Sequence, residues 1–94
     1  MEVWVEFTGI ARTITGKQQV LFSVPQGTSC AEIVRSLAKA YPGLAGIIIN
    51  LERMALLNSN VFILNGAEMV LPDQMDQILC DGDRVTLLSV IVGG

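Results

Sequence analysis

Val3, Val5 and Phe7 alternate with Glu2, Trp4 and Glu6 at the start of the chain. A two-residue period places every second side chain on one face, so this run predicts a strand with one face buried. Val20, Phe22 and Val24 repeat the pattern after a segment bounded by Gly9 and Gly16. Together the two runs predict an N-terminal antiparallel hairpin with a long loop. Pro25 and Gly27 close the second strand.

The period then changes. Ile33, Val34, Leu37, Ala38 and Tyr41 fall on one stripe at helical spacing. Ser29 and Glu32, just ahead, have the spacing of a capping box: the hydroxyl takes one orphan N–H and the carboxylate reaches back to another. Thr28 is a rival cap, and Pro42-Gly43 stops the helix. The stripe reads as core.

Residues 44–60 show no clear period. Ile47-Ile48-Ile49 suits a short buried strand or an irregular crossing, and Leu51 to Leu57 suits a helical turn. Val61-Phe62-Ile63-Leu64 is a strand stopped by Asn65-Gly66, a strong turn dipeptide. Residues 67–80 read as a loop with short elements. Asp81-Gly82-Asp83 is a tight turn.

The last strand pattern runs from Arg84 to Val90, apolar at Val85, Leu87, Leu88 and Val90. It lacks clean alternation, which predicts a central strand with both faces covered. Such a strand fits best beside the first one, with the helix crossing one face. The order strand, strand, helix, strand, strand predicts an α+β domain with the helix on a mixed sheet. The folded domain is expected to span residues 1–88. Residues 89–94 are expected to form a flexible tail, which overlaps the end of the strand pattern.

Composition narrows the function classes. The chain has 94 residues, 51% hydrophobic and 16% charged, which suits one packed domain and argues against disorder. No run of about 18 apolar residues exists to span a membrane. The N-terminus lacks the basic-then-apolar pattern of a signal peptide, so a cytoplasmic protein is expected.

The net charge is −3. Residues 50–94 carry six acids against Arg53 and Arg84, whereas residues 1–49 are near balance. The lack of a basic patch disfavours nucleic acid. An acidic half suits a basic partner surface or is a solvated face.

Histidine is absent, which removes the commonest general base. Cys30 and Cys80 form no Cys-x-x-Cys motif, so neither a zinc site nor a four-thiolate cluster is expected. Cys30 lies in the first turn of the predicted helix, where a thiol pKa can fall, but free cysteine more often fills core space. No G-x-S-x-G and no phosphate loop is present, so the chain does not look like an ordinary catalyst.

One chemical feature remains. The chain ends in Ser89-Val90-Ile91-Val92-Gly93-Gly94. A terminal carboxylate is ionised at pH 7 and can act as a nucleophile. Glycines without Cβ can enter a slot too narrow for other residues. Two terminal glycines arise by chance in roughly one chain in 200, so the rest of the chain must carry the argument.

Taken together, the order of elements, the Asp81-Gly82-Asp83 turn and the Gly93-Gly94 end resemble the MoaD/ThiS family of ubiquitin-like (β-grasp) sulfur carriers. The resemblance covers nearly the full length, excepting residues 44–57. Phe7-Thr8-Gly9-Ile10-Ala11-Arg12, with Gly16 after it, looks like the first-strand and loop pattern of molybdopterin synthase small subunits. Gly27-Thr28 before the helix also fits. Leu79-Cys80-Asp81-Gly82-Asp83-Arg84-Val85, a short strand and Gly-Gly fit the C-terminal signature. The body is thus similar to the molybdopterin branch. The tail lacks a Pro-Pro pair and is similar to the thiazole-synthesis carriers.

The resemblance implies a β-grasp fold, with a mixed sheet of four to five strands and one main helix across one face. It implies a carrier rather than an enzyme. Gly94 is the reactive residue: its carboxylate is adenylated with ATP and converted to a thiocarboxylate. That thiocarboxylate donates sulfur in cofactor biosynthesis, with molybdopterin as the expected product. Thiamine thiazole and a thiolated tRNA base are the alternatives.

The implied partners are an adenylating enzyme of the ubiquitin-activating-like MoeB/ThiF type and a large synthase subunit or other sulfur acceptor. No stably bound cofactor is implied, since the activating partner uses the ATP. Gly93, Val92, Ile91 and Ser89 are the expected partner-binding residues. Ile91 and Val92 either pack in the mouth of the partner's tunnel or extend the last strand. Two other classes share the same residues: a protein modifier joined to lysines through Gly94, and an interaction module whose glycines are incidental.

Overall fold

The computed structural model describes residues 1–57 and 59–89. In chain order these form β1 (Glu2–Phe7), α1 (Gly9–Thr15), β2 (Gln19–Ser23), α2 (Cys30–Ala40), β3 (Ile49–Asn50), β4 (Ala55–Leu56), β5 (Asn60–Leu64), β6 (Glu68–Val70) and β7 (Arg84–Ser89). Two 3₁₀ turns lie at Pro42–Leu44 and Pro72–Gln74. The main sheet has five strands in the order β2-β1-β7-β5-β6. β1 and β7 are parallel and the other neighbours antiparallel, so the sheet is mixed.

The alternation in β1 has its expected consequence. Val3, Val5 and Phe7 are buried. They meet Val85 and Leu87 of β7, Phe62 and Leu64 of β5, and Ile33, Val34 and Leu37 of α2 in one core. The α2 stripe is therefore core. The capping box forms: the Glu32 N–H donates to Ser29 Oγ at 3.2 Å, and the Ser29 N–H donates to Glu32 Oε1 at 3.2 Å. Thr28 is not the cap; its hydroxyl donates to the Pro25 carbonyl at 2.8 Å. The stripe ends at Tyr41, whose ring meets Phe7 edge-on at 5.6 Å.

Three expectations need correction. The first loop holds a helix, α1, between β1 and β2. Seven residues with β-branched Thr13, Ile14 and Thr15 are too few to show a helical period. Packing holds it instead: Ala11 is buried and Ile14 packs against the core. Second, Leu51–Leu57 is no helical turn. Ile49–Asn50 and Ala55–Leu56 pair as a small antiparallel sheet, which buries Ile48, Ile49 and Ala55 and leaves Ile47 exposed.

Third, β7 is central but not covered on both faces. Val85 and Leu87 point into the core, while Leu88 on the other face is exposed. The main helix covers only one side, and the opposite face keeps a polar cluster. Arg84 Nη1 lies 3.0 Å from Glu6 Oε1, donates to Gln19 Oε1 at 3.1 Å, and its guanidinium stands 5.9 Å from the Trp4 ring centroid. No helix among the described residues is long and apolar enough to cross a membrane.

Candidate functional site at the end of the last strand

β7 carries the chain towards its reactive candidate, and both of its ends are held. At its start, the Asp81-Gly82-Asp83 turn ties three elements together. The Glu2 N–H donates to Asp81 Oδ1 at 2.7 Å, and the Gly82 N–H donates back to the Glu2 carbonyl at 2.7 Å. Asp83 accepts from the Cys80 N–H at 2.7 Å and from Asn65 Nδ2 at 3.0 Å. Asn65 then accepts the Arg84 N–H at 2.9 Å. The two acids and the Asn65-Gly66 turn thereby set where β7 begins against both β1 and β5.

At its other end β7 loses a neighbour. The β1 pairing stops at Phe7 opposite Leu87, because Gly9 (φ +55°) turns the chain into α1. Thr8 fills the gap. Its hydroxyl donates to the Leu87 carbonyl at 2.9 Å and accepts the Ser89 N–H at 3.2 Å. A hydroxyl can do both, so one side chain replaces the missing peptide group of β1. On the opposite side Ser89 pairs with Asn60 of β5, and its hydroxyl donates to Asn60 Oδ1 at 3.0 Å. Asn60 Nδ2 is anchored on the Leu57 carbonyl at 2.8 Å. Gly9 closes the third side: a Cβ there would stand 2.8 Å from both Cβ and Oγ of Ser89.

Of the expected site residues, Ser89 therefore lies in β7. It is half-buried, and its N–H and hydroxyl are satisfied within the fold. The expected boundary at residue 88 therefore falls inside β7. Gly94, Gly93, Val92 and Ile91 lie outside the described residues. Sequence reasoning passed over Thr8 and Asn60, although Thr8 lies inside the Phe7–Arg12 motif.

The cysteines take different places. Cys30 is fully buried and opens α2. Burial, reinforced by the carboxylates of Glu68 and Asp83, pushes its thiol up from the ordinary 9.0 to about 11. That outweighs the helix N-terminus, so Cys30 is a core residue and not an activated thiol. Cys80 is exposed. Among the described residues no group of three or more His, Cys, Asp or Glu could hold a metal ion.

A five-stranded mixed sheet with a capped helix across one face and a second, short helix after β1 is the ubiquitin-like β-grasp fold. The model of the ThiS family matches residues 5–94, and the chain belongs to that family. It is 32% identical over 94 residues to small archaeal modifier protein 3 of Haloferax volcanii, covering 100% of both chains. The crystal structure of SAMP1 from Haloferax volcanii superposes with a TM-score of 0.83 over 100% of both chains, at 16% identity. One partner in the BexX/CysO complex of Amycolatopsis orientalis matches with a TM-score of 0.74 and 26% identity. That match covers 98% of this chain and 99% of that one. The chain is thus a ThiS/MoaD-type small carrier or modifier protein and not an enzyme, and its solved neighbours include a two-protein complex.

Proposed function

We propose that this chain carries sulfur on the carboxylate of Gly94. The Gly94 carboxylate attacks the α-phosphate of ATP on an adenylating partner, giving an acyl-adenylate and releasing pyrophosphate. A sulfur nucleophile then displaces AMP and leaves a thiocarboxylate. The carrier supplies no general acid or base, in keeping with a chain that lacks histidine. Its reactive atom is its own terminus, and the globule presents it.

The observation that carries this reading is the family match, which runs through the Gly-Gly end to residue 94. Five residues follow Ser89, a reach of at most about 17 Å when extended. That length lets the body stay outside a partner while Gly94 enters a buried site. Gly93 and Gly94 suit its narrowest part, and Ile91 and Val92 suit its mouth. The sulfur acceptor is a cofactor precursor on a larger synthase subunit. The Phe7–Arg12 motif favours molybdopterin over thiamine thiazole or tRNA thiolation. The setting is the cytoplasm, and the ATP belongs to the activating partner.

Intact mass after incubation with the MoeB/ThiF-type enzyme, ATP and a sulfur source tests the proposal. The expected gain is about 16 mass units, sulfur for oxygen. Gly94→Ala, or removal of Gly94, leaves thermal melting unchanged and abolishes ATP–pyrophosphate exchange. Normal exchange by the truncated chain sinks the proposal.

A second reading draws on the 32% identical relative, which is a modifier protein. There the same adenylate leads to an amide between Gly94 and a lysine. Adducts in cell extract that resist reducing agent and vanish with Gly94→Ala favour it; their absence beside a thiocarboxylate mass favours the carrier.

A further inference from the structure

We propose that Thr8 and Asn60 are positioning residues that clamp the root of the reactive tail at Ser89. They thereby fix the position of Ser89, five residues before Gly94. This rests on the proposed role of Gly94, but the clamp itself is a property of the fold.

The need for a clamp follows from the topology. β7 is the strand that leads to the terminus, and its parallel neighbour β1 ends opposite Leu87. Beyond that pair, Leu88 and Ser89 have a strand only on the β5 side. A strand end paired on one side frays readily, and fraying frees Ser89 from β7. Each freed residue must be ordered again when the tail enters a partner's site, which reduces productive entry by roughly tenfold per residue.

Thr8 removes that loss. Its backbone N–H and its hydroxyl both donate to the Leu87 carbonyl, at 3.3 and 2.9 Å, and its hydroxyl oxygen takes the Ser89 N–H. Asn60 holds the Ser89 hydroxyl from the other side and is itself fixed on Leu57. Gly9 packs against Ser89 so closely that no Cβ fits between them. None of these groups belongs to the hydrophobic core, and the nearest core residue of β7 is Leu87. The Phe7-Thr8-Gly9 stretch thus divides its work by residue. Phe7 ends the strand in the core, Thr8 caps β7, and Gly9 permits the contact.

The test compares Thr8→Val, Thr8→Ser and Asn60→Ala with the unaltered full chain. Amide hydrogen exchange, read at Ser89 and at Val85, needs no partner enzyme. Thr8→Val and Asn60→Ala are each expected to speed exchange at Ser89 about tenfold and leave Val85 unchanged, while Thr8→Ser keeps the original protection. In ATP–pyrophosphate exchange with the activating enzyme, kcat/KM for the carrier is expected to fall about tenfold for Thr8→Val and to recover in Thr8→Ser.

Unchanged Ser89 protection in Thr8→Val overturns the clamp. An equal rise at Ser89 and Val85 also overturns it, because it marks general destabilisation. A freed Ser89 with unchanged kcat/KM overturns the positioning role. If the unaltered chain supports no ATP–pyrophosphate exchange, the sulfur-carrier reading fails, and the amide measurement still decides whether the clamp exists.

Discussion

Replacing Gly9 with alanine tests the close approach between the first turn and the end of β7. Two costs are expected. Gly9 has φ +55°, and an L-residue in the left-handed region costs about 1–2 kcal/mol. The new Cβ would also stand 2.8 Å from Ser89 Cβ and Oγ. The hydroxyl can rotate away, but the Ser89 Cβ is fixed by β7, so the backbone must shift. Such overpacking costs about 1–3 kcal/mol. The total is about 2–5 kcal/mol, a large part of the stability of a small domain.

Gly16 separates the two costs. It has φ +70° as the C-cap of α1, with nothing within 4 Å of a built Cβ. Gly16→Ala therefore carries the backbone strain without the contact, about 1–2 kcal/mol. Guanidinium unfolding of both variants reads the difference, and about 1–3 kcal/mol is expected. Adding Ser89→Gly to Gly9→Ala removes the obstructing Cβ. This double variant should recover most of that difference in a double-mutant cycle. Equal losses for Gly9→Ala and Gly16→Ala, or no coupling to Ser89→Gly, refute the reasoning.

Two further expectations concern α2. Ser29→Ala removes the acceptor of the Glu32 N–H and should cost about 0.5–2 kcal/mol. It is read as a lower denaturant midpoint at unchanged slope, and an unchanged midpoint contradicts the cap. The Cys30 thiol ionises near 11 in the folded chain against 9.0 as its ordinary value, so the folded state holds the proton more tightly. That stability is complete below pH 9 and is lost as pH rises towards 11, by about 2–3 kcal/mol. Cys30→Ala should lack this part of the slope, and equal slopes in both chains count against burial as the cause. At pH 8 a thiol reagent should label Cys80 and leave Cys30 untouched until the chain unfolds.

What could be read from the residues alone depended on how local the determining interaction was. The strand alternation of β1, the capped stripe of α2 and the turn at Asp81-Gly82-Asp83 each reside within a few neighbouring positions. All three stand in the structure. α1 was not legible, because its seven residues are held by contacts of Ala11 and Ile14 with distant core residues. The β3–β4 pair has two residues per strand, too few for any period to emerge. The lack of alternation in β7 comes from an exposed leucine and not from two covered faces. Leu88 lies on an open face, and an exposed leucine carries no signal that separates it from a buried one.

The end of β7 shows the same limit. Thr8, Asn60 and Ser89 are 81 and 29 positions apart in the contacts that join them, so no local pattern marks them as a group. Their placement shows that both ends of β7 are fixed by side chains from distant parts of the chain. The turn sets the start of β7 through Asp81, Asp83 and Asn65, and Thr8 with Asn60 sets its end. Between them a slip of one residue would turn Val85 and Leu87 out of the core and Leu88 into it. It would also bring a different residue to the Thr8 hydroxyl. The register that buries the core is thus the register that places Ser89 at the Thr8 hydroxyl.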